Sequence, residues 1–105
     1  MGSHSNSKFF YLTTKGWKTG KEHKIEIWFV ERDKKYYIMS ETMEKAHWVQ
    51  NIIHNPQVKI TLNNIIIEAT ARIIDKVSDP QLESEILKLM SSKPVIGLII
   101  ELNPK

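Results

Sequence analysis

The feature that narrows the fold most is a period of two. Residues 23–31 (HKIEIWFVE) place Ile25, Ile27 and Phe29 on one face, and residues 57–62 (QVKITL) alternate in the same way. Strands with one buried face read like this. Residues 9–14 (FFYLTT), 35–40 (KYYIMS), 65–74 (IIIEATARII) and 95–102 (VIGLIIEL) are aromatic, β-branched or continuously apolar, which also suits strands. The joins are short. Gly16 and Gly20 mark a tight turn, Arg32-Asp33-Lys34 reads as a charged hairpin turn, and Asn63-Asn64 can take positive φ. Segments joined by hairpins run antiparallel.

Two segments break the period. Ala46, Val49, Ile52 and Ile53 fall at three- and four-residue spacing with Trp48 beside them, which predicts a short amphipathic helix over residues 44–55. Asn55-Pro56 ends it. Asp79-Pro80 predicts a second helix, with Asp as N-cap and Pro at the first helical position. Leu82, Ile86 and Leu89 would carry its buried stripe to about residue 92. The order is β-β-β-α-β-β-α-β. The expected class is mainly β: a six-stranded antiparallel barrel with two short helices. A parallel doubly wound sheet would need a helix between most strands.

The 105 residues suit one domain, 8–105, with residues 1–7 as a disordered leader outside it. There is no cysteine, so disulfides, thiolate metal sites and cysteine nucleophiles are excluded. With no apolar run long enough to span a membrane, a cytoplasmic protein is expected. The formal charge of +3 suits anionic ligands, yet lysine is also the ordinary solubilising residue.

The densest chemical signal lies in residues 13–24 (TTKGWKTGKEHK). Lys15, Lys18, Lys21 and Lys24 recur every third residue around Gly16 and Gly20, with Thr13, Thr14 and Thr19 interleaved. Glycines let backbone N–H groups approach an oxyanion, hydroxyls add neutral donors, and lysines add point charges for phosphate. A solvated lysine-rich hairpin is the competing reading. The spacing is not that of a Walker motif. His47 and His54 lie seven apart, whereas helical metal pairs sit four apart, and no carboxylate completes a set. Both read as surface or interface residues, and no metal site is expected. Trp28 and Trp48 could stack on a flat ring, but in a small barrel core positions are the first expectation. Tyr36 and Tyr37 should point to opposite sides of a strand.

The stretch LTTKGWKTGKEHKIEIWFV resembles the opening of the deazaflavin (coenzyme F-420)-dependent nitroreductase and quinone reductase family. That family lies within the FMN-binding split-barrel superfamily, with the pyridoxamine 5'-phosphate oxidases as relatives. The resemblance continues through Tyr37, Ser40, Trp48-Val49-Gln50-Asn51 and Asn55-Pro56-Gln57-Val58. It implies a split β-barrel that binds a flavin or deazaflavin. By position, Lys18 and His23 would hold the cofactor phosphate, with Thr19 and Gly20 adding hydroxyl and backbone contacts. The backbone of Glu26, Ile27 and Trp28 would pass beside the ring system, the loop from Ser40 to Lys45 would lie along its other side, and Trp48 is a further candidate contact with the ring. Lys45 matches a phosphate-contacting lysine of the FMN relatives. The chain departs from the pattern at His23, where arginine is usual, and at Glu26, where proline is common. Residues 41–44 replace a glycine-rich loop, and the tyrosine-bearing substrate segment is missing between Asp75 and Pro94.

The implied function is an oxidoreductase that passes hydride between coenzyme F-420 or FMN and a small nitro or quinone acceptor, in a homodimer. The catalytic residues are unknown, since the hydride chemistry belongs to the cofactor. One alternative is a non-catalytic split barrel that binds a flavin or another small ligand. A nucleic-acid-binding barrel ranks lower, because acidic residues are interspersed and arginine is scarce.

Overall fold

The structure, a computed structural model, describes residues 8–40, 45–75, 77–90 and 97–105. Eight elements follow in the expected order: β1 (Lys8–Lys15), β2 (Glu22–Arg32), β3 (Lys35–Ser40), α1 (His47–His54), β4 (Gln57–Leu62), β5 (Ile65–Ile74), α2 (Pro80–Met90) and β6 (Leu98–Pro104). Every strand pair is antiparallel, and the strands close into a barrel in the order β1-β2-β3-β6-β5-β4. Asp33, Lys34, Asn63 and Asn64 take positive φ between 52° and 66°, as two-residue hairpin turns require.

The pleat sends Phe10, Leu12, Phe29, Ile38, Val58, Ile60, Ile100 and Leu102 into the barrel, where α1 adds Val49 and Ile52. Phe10 stacks on Phe29 at 4.3 Å, and Tyr36 meets both rings edge-on. A second, smaller core lies outside the barrel wall. There Tyr37, Ile74 and Ile99 bury against Ile86 of α2, with Leu82, Leu87 and Met90 around them. Tyr36 and Tyr37 thus face opposite sides of β3, as the alternation predicts, but both reach apolar surroundings.

The barrel is split along one seam. Along one edge β2 pairs with β1 from Phe29 down to Glu22. Along the other it pairs with β3 only at Val30, Glu31 and Arg32. Residues 22–29 therefore have no second strand partner among the described residues. The N–H and C=O groups on that side of β2 pair with no strand among the described residues.

Several expectations need correction. Trp28 projects from the outer face and is 36 % exposed, because it alternates with Ile27 and Phe29, which take the inward positions. Leu89 is 53 % exposed, and Leu87 and Met90 complete the α2 stripe instead. The first helix begins at His47 rather than near residue 44, and β6 runs on through Asn103 and Pro104, which pair with Thr70 and Ala69. The loop at residues 41–44, the proposed start of the last strand at residue 95, and part of the segment between Asp75 and Pro94 lie outside the described residues.

A basic cleft between the first turn and the first helix

The turn between β1 and β2 folds back on itself. Gly16 N–H donates to the Lys21 carbonyl, and Gly20 N–H donates to the Gly16 carbonyl, both at 2.7 Å. Gly20 sits at φ 75°, a conformation that costs a side-chain-bearing residue about 1 kcal/mol or more. Gly16 is constrained by space instead. A Cβ there would lie 2.8 Å from Thr19 Oγ1 and 3.0 Å from His23 Nε2, so the missing side chain is what lets Thr19 and His23 converge.

Helix α1 closes over this turn. Buried Asn51 accepts the Trp17 N–H at 3.2 Å through Oδ1, and its Nδ2 donates to Thr14 Oγ1 at 3.0 Å. One helical turn on, His54 stacks on the Trp17 ring at 4.1 Å, and Lys18 Nζ lies 5.1 Å from the same ring. Together they frame a cleft of about 570 Å³. Lys18, Thr19 and His23 stand on the turn side, with His47, Trp48 and Asn51 on the helix side and Ile25 on the strand between. Among the described residues no carboxylate lines it. Such a cleft offers an ammonium, a hydroxyl and imidazole rings to an anion and flat apolar walls to a ring.

Of the candidates, Lys18, Thr19, His23 and Trp48 line this one cleft, and Trp48 also packs against the barrel core. Gly20 belongs to the same turn, although its N–H is spent inside it. The other candidates sit elsewhere. Ile27 packs against the barrel core, Glu26 and Trp28 project from the outer face, Ser40 is buried opposite Leu98 at the end of β3, and Lys45 is exposed just before α1. Glu26, Ile27 and Trp28 do lie in the stretch of β2 that pairs with β1 but not with β3. Asn51 and Ile25 line the cleft without being site candidates in the sequence, and His47, which reads there as a surface or interface residue, lines it too. Asn51 stood inside the quoted Trp-x-x-Asn motif, and its place there was the one signal that could have flagged it.

A phosphate-bearing cofactor fits this donor set: the Thr19 hydroxyl and His23 imidazole converge where a Cβ at Gly16 would intrude, and the Lys18 amine lines the same cleft. Tyr37, Arg72 and Asp75, whose protonation equilibria the fold shifts, all lie outside the cleft lining.

Solved structures share the architecture. The F420-H2 dependent reductase FDR-A is 20 % identical, with a TM-score of 0.69 over 90 % of this chain and 93 % of that one. HutZ, the heme storage protein from Vibrio cholerae, is 19 % identical, with a TM-score of 0.72 over 93 % and 82 %. An FAD-binding protein from Mesorhizobium loti is 10 % identical, with a TM-score of 0.72 over 93 % and 81 %. At these identities the likeness concerns the fold alone. No curated protein matches in sequence. The split barrel and the turn-and-helix cleft agree with the sequence in one assignment: residues 2–93 match the model of the F420H(2)-dependent quinone reductase family, and the chain belongs to that family.

Proposed function

We propose that this protein passes hydride between coenzyme F-420 and a small quinone-type acceptor, with the cofactor held in the cleft between the first turn and α1. Lys18, Thr19 and His23 would hold its phosphate, and Trp48 and Ile25 would flank its ring system beside the unpaired edge of β2. Lys45 and Ser40 remain proposed contacts from the far side of the seam. The observation that carries this reading is that Lys18, Thr19 and His23 line one cleft with no carboxylate among its described lining residues. When bound, the deazaflavin supplies the hydride chemistry. The protein's part is to bind the phosphate, orient the ring and limit water around it.

The test is a titration of the purified protein with coenzyme F-420 and with FMN, read by absorbance and fluorescence, followed by turnover with quinone and nitro acceptors. Tight binding of F-420 with quinone reduction supports the reading. Preference for FMN, or binding without turnover, sinks it in favour of a flavin enzyme or a carrier. The carrier reading has one observation behind it: two of the structures sharing this fold are a heme storage protein and an FAD-binding protein.

The proposal includes one folded domain over residues 8–105, a homodimer and a cytoplasmic location. No helix among the described residues is long and apolar enough to cross a membrane. Phe9, Tyr11 and Trp28 are exposed on one outer face, with Phe9 directly opposite Trp28 and Tyr11 opposite Glu26. We assign the dimer contact to that face, where an isologous seam would bury the three exposed rings. Sedimentation of wild type against Trp28→Glu tests it, and a monomer at micromolar concentration would refute it.

A further inference from the structure

Asn51 makes more of the cleft than a wall. Its amide is a two-ended connector, since an asparagine oxygen accepts while its nitrogen donates. The oxygen end takes the N–H of Trp17, between Gly16 and Lys18, and the nitrogen end is anchored on Thr14 in β1. Thr14 is 2 % exposed and Asn51 5 %, so water competes poorly for either bond. Holding the Trp17 N–H fixes the Gly16–Trp17 peptide plane, and with it the direction in which Lys18 leaves the turn. The ring stack of Trp17 on His54 braces the same residue from the side, and His54 Nδ1 is itself held by the Gln50 carbonyl at 2.9 Å. Thr14 does not line the cleft.

We infer that Thr14, Asn51 and the backbone of Trp17 form a relay through which β1 and α1 set the anion-binding turn, with Asn51 as its positioning residue. The inference rests on the cleft being the cofactor site. It assigns an effect on cofactor affinity to Thr14, a residue that cannot touch the cofactor.

The experiment compares Thr14→Val, Asn51→Leu, Lys18→Ala and the barrel-core control Ile60→Val. Each is titrated with coenzyme F-420, and amide exchange at Trp17 is followed by NMR. Thr14→Val, nearly isosteric, should weaken binding about fivefold and Asn51→Leu about thirtyfold, the loss of one and of two buried hydrogen bonds. Both should speed exchange at the Trp17 amide. In Thr14→Val, turnover at saturating cofactor should hold while KM for the cofactor rises, because Thr14 acts on binding alone. Ile60→Val should lower stability with affinity intact.

Wild-type affinity in Thr14→Val and Asn51→Leu, with binding lost in Lys18→Ala, would overturn the relay and leave the cleft reading standing. Wild-type affinity in Lys18→Ala would instead bring down the cleft reading and the relay with it. An equal loss in Ile60→Val would show general destabilisation and also refute the proposal. If Asn51→Leu does not fold, Thr14→Val carries the test alone.

Discussion

At the scale of single residues, the cleft depends on what one glycine leaves out. Gly16→Ala would put a methyl group within 3 Å of Thr19 and His23. Both obstructing atoms end side chains that can turn away, so the fold should tolerate the change while the anion site does not. We expect cofactor affinity to fall several-fold with Tm within a few degrees of wild type, compared by titration and calorimetry. A large drop in Tm would mean that the turn, not the two side chains, had given way. Lys18→Ala removes one exposed charge and should weaken coenzyme F-420 binding about tenfold, the worth of one charge-assisted hydrogen bond. Unchanged affinity would remove Lys18 from the phosphate site.

At the scale of elements, the most informative contact is the docking of α2. Glu101, 4 % exposed in the otherwise apolar β6, accepts from Tyr37 Oη at 2.9 Å and from Arg72 Nε at 3.3 Å. Arg72 also donates to Asp79 at 2.8 Å, just ahead of α2, and Arg32 pairs with Glu85 within it. Burial, and then the bond to Glu101, push the Tyr37 phenol up to about 12. An unfolded tyrosine ionises near 10, so this group stabilises the fold fully below about pH 10 and stops doing so as pH rises through about 12. Tyr37→Phe should therefore cost about 2 kcal/mol at neutral pH. It should also show a smaller fall in stability between those two pH values than wild type, measured by urea unfolding across the alkaline range. Equal alkaline slopes would contradict the assignment.

Asp75 works at the other pH extreme. Its Oδ1 accepts from the Ser78 N–H, the Ser78 hydroxyl and the Val77 N–H, and these bonds hold its carboxyl below the usual range, the Ser78 backbone contributing most. The sign is opposite. The contribution is present above about pH 4, the unfolded value, and is lost as pH falls through the lower folded value. Asp75→Asn should loosen the approach to α2 at neutral pH, where the contribution is present, so faster hydrogen exchange in α2 is the readout. If α2 amides exchange in the mutant as in wild type at neutral pH, this turn does not hold the helix.

At the scale of the whole molecule, two cores of unequal size share one barrel wall. The lumen packs residues from all six strands and α1, whereas the outer core relies on one helix. Ile100, fully buried in the lumen, should cost about 3 kcal/mol when cut to alanine, lowering Tm by roughly 12–20 °C in a domain this small. Ile86→Ala should cost a similar amount but open α2 first, leaving the barrel amides protected. Simultaneous loss of protection in helix and barrel would show that the two cores unfold as one unit.

The sequence by itself determined each element and its order, because alternation, helical spacing and turn residues such as Asn63-Asn64 are local properties that the backbone obeys wherever it is. It also made the lysine-rich turn legible, since glycines and lysines at short spacing are a local pattern. The tertiary structure alone decided which strand closes the barrel, which side of β2 stays unpaired, and that Trp28 faces out while Tyr37 is sealed under α2. It also decided that Asn51 reaches 37 residues back to Thr14, and that Glu101 finds Tyr37 and Arg72 from 64 and 29 residues away. Hydrophobic burial is non-directional and each strand has two faces, so a pattern says that a face will be covered but not by what. Only closure of the barrel, which sets every register at once, chose the partners that make the cleft.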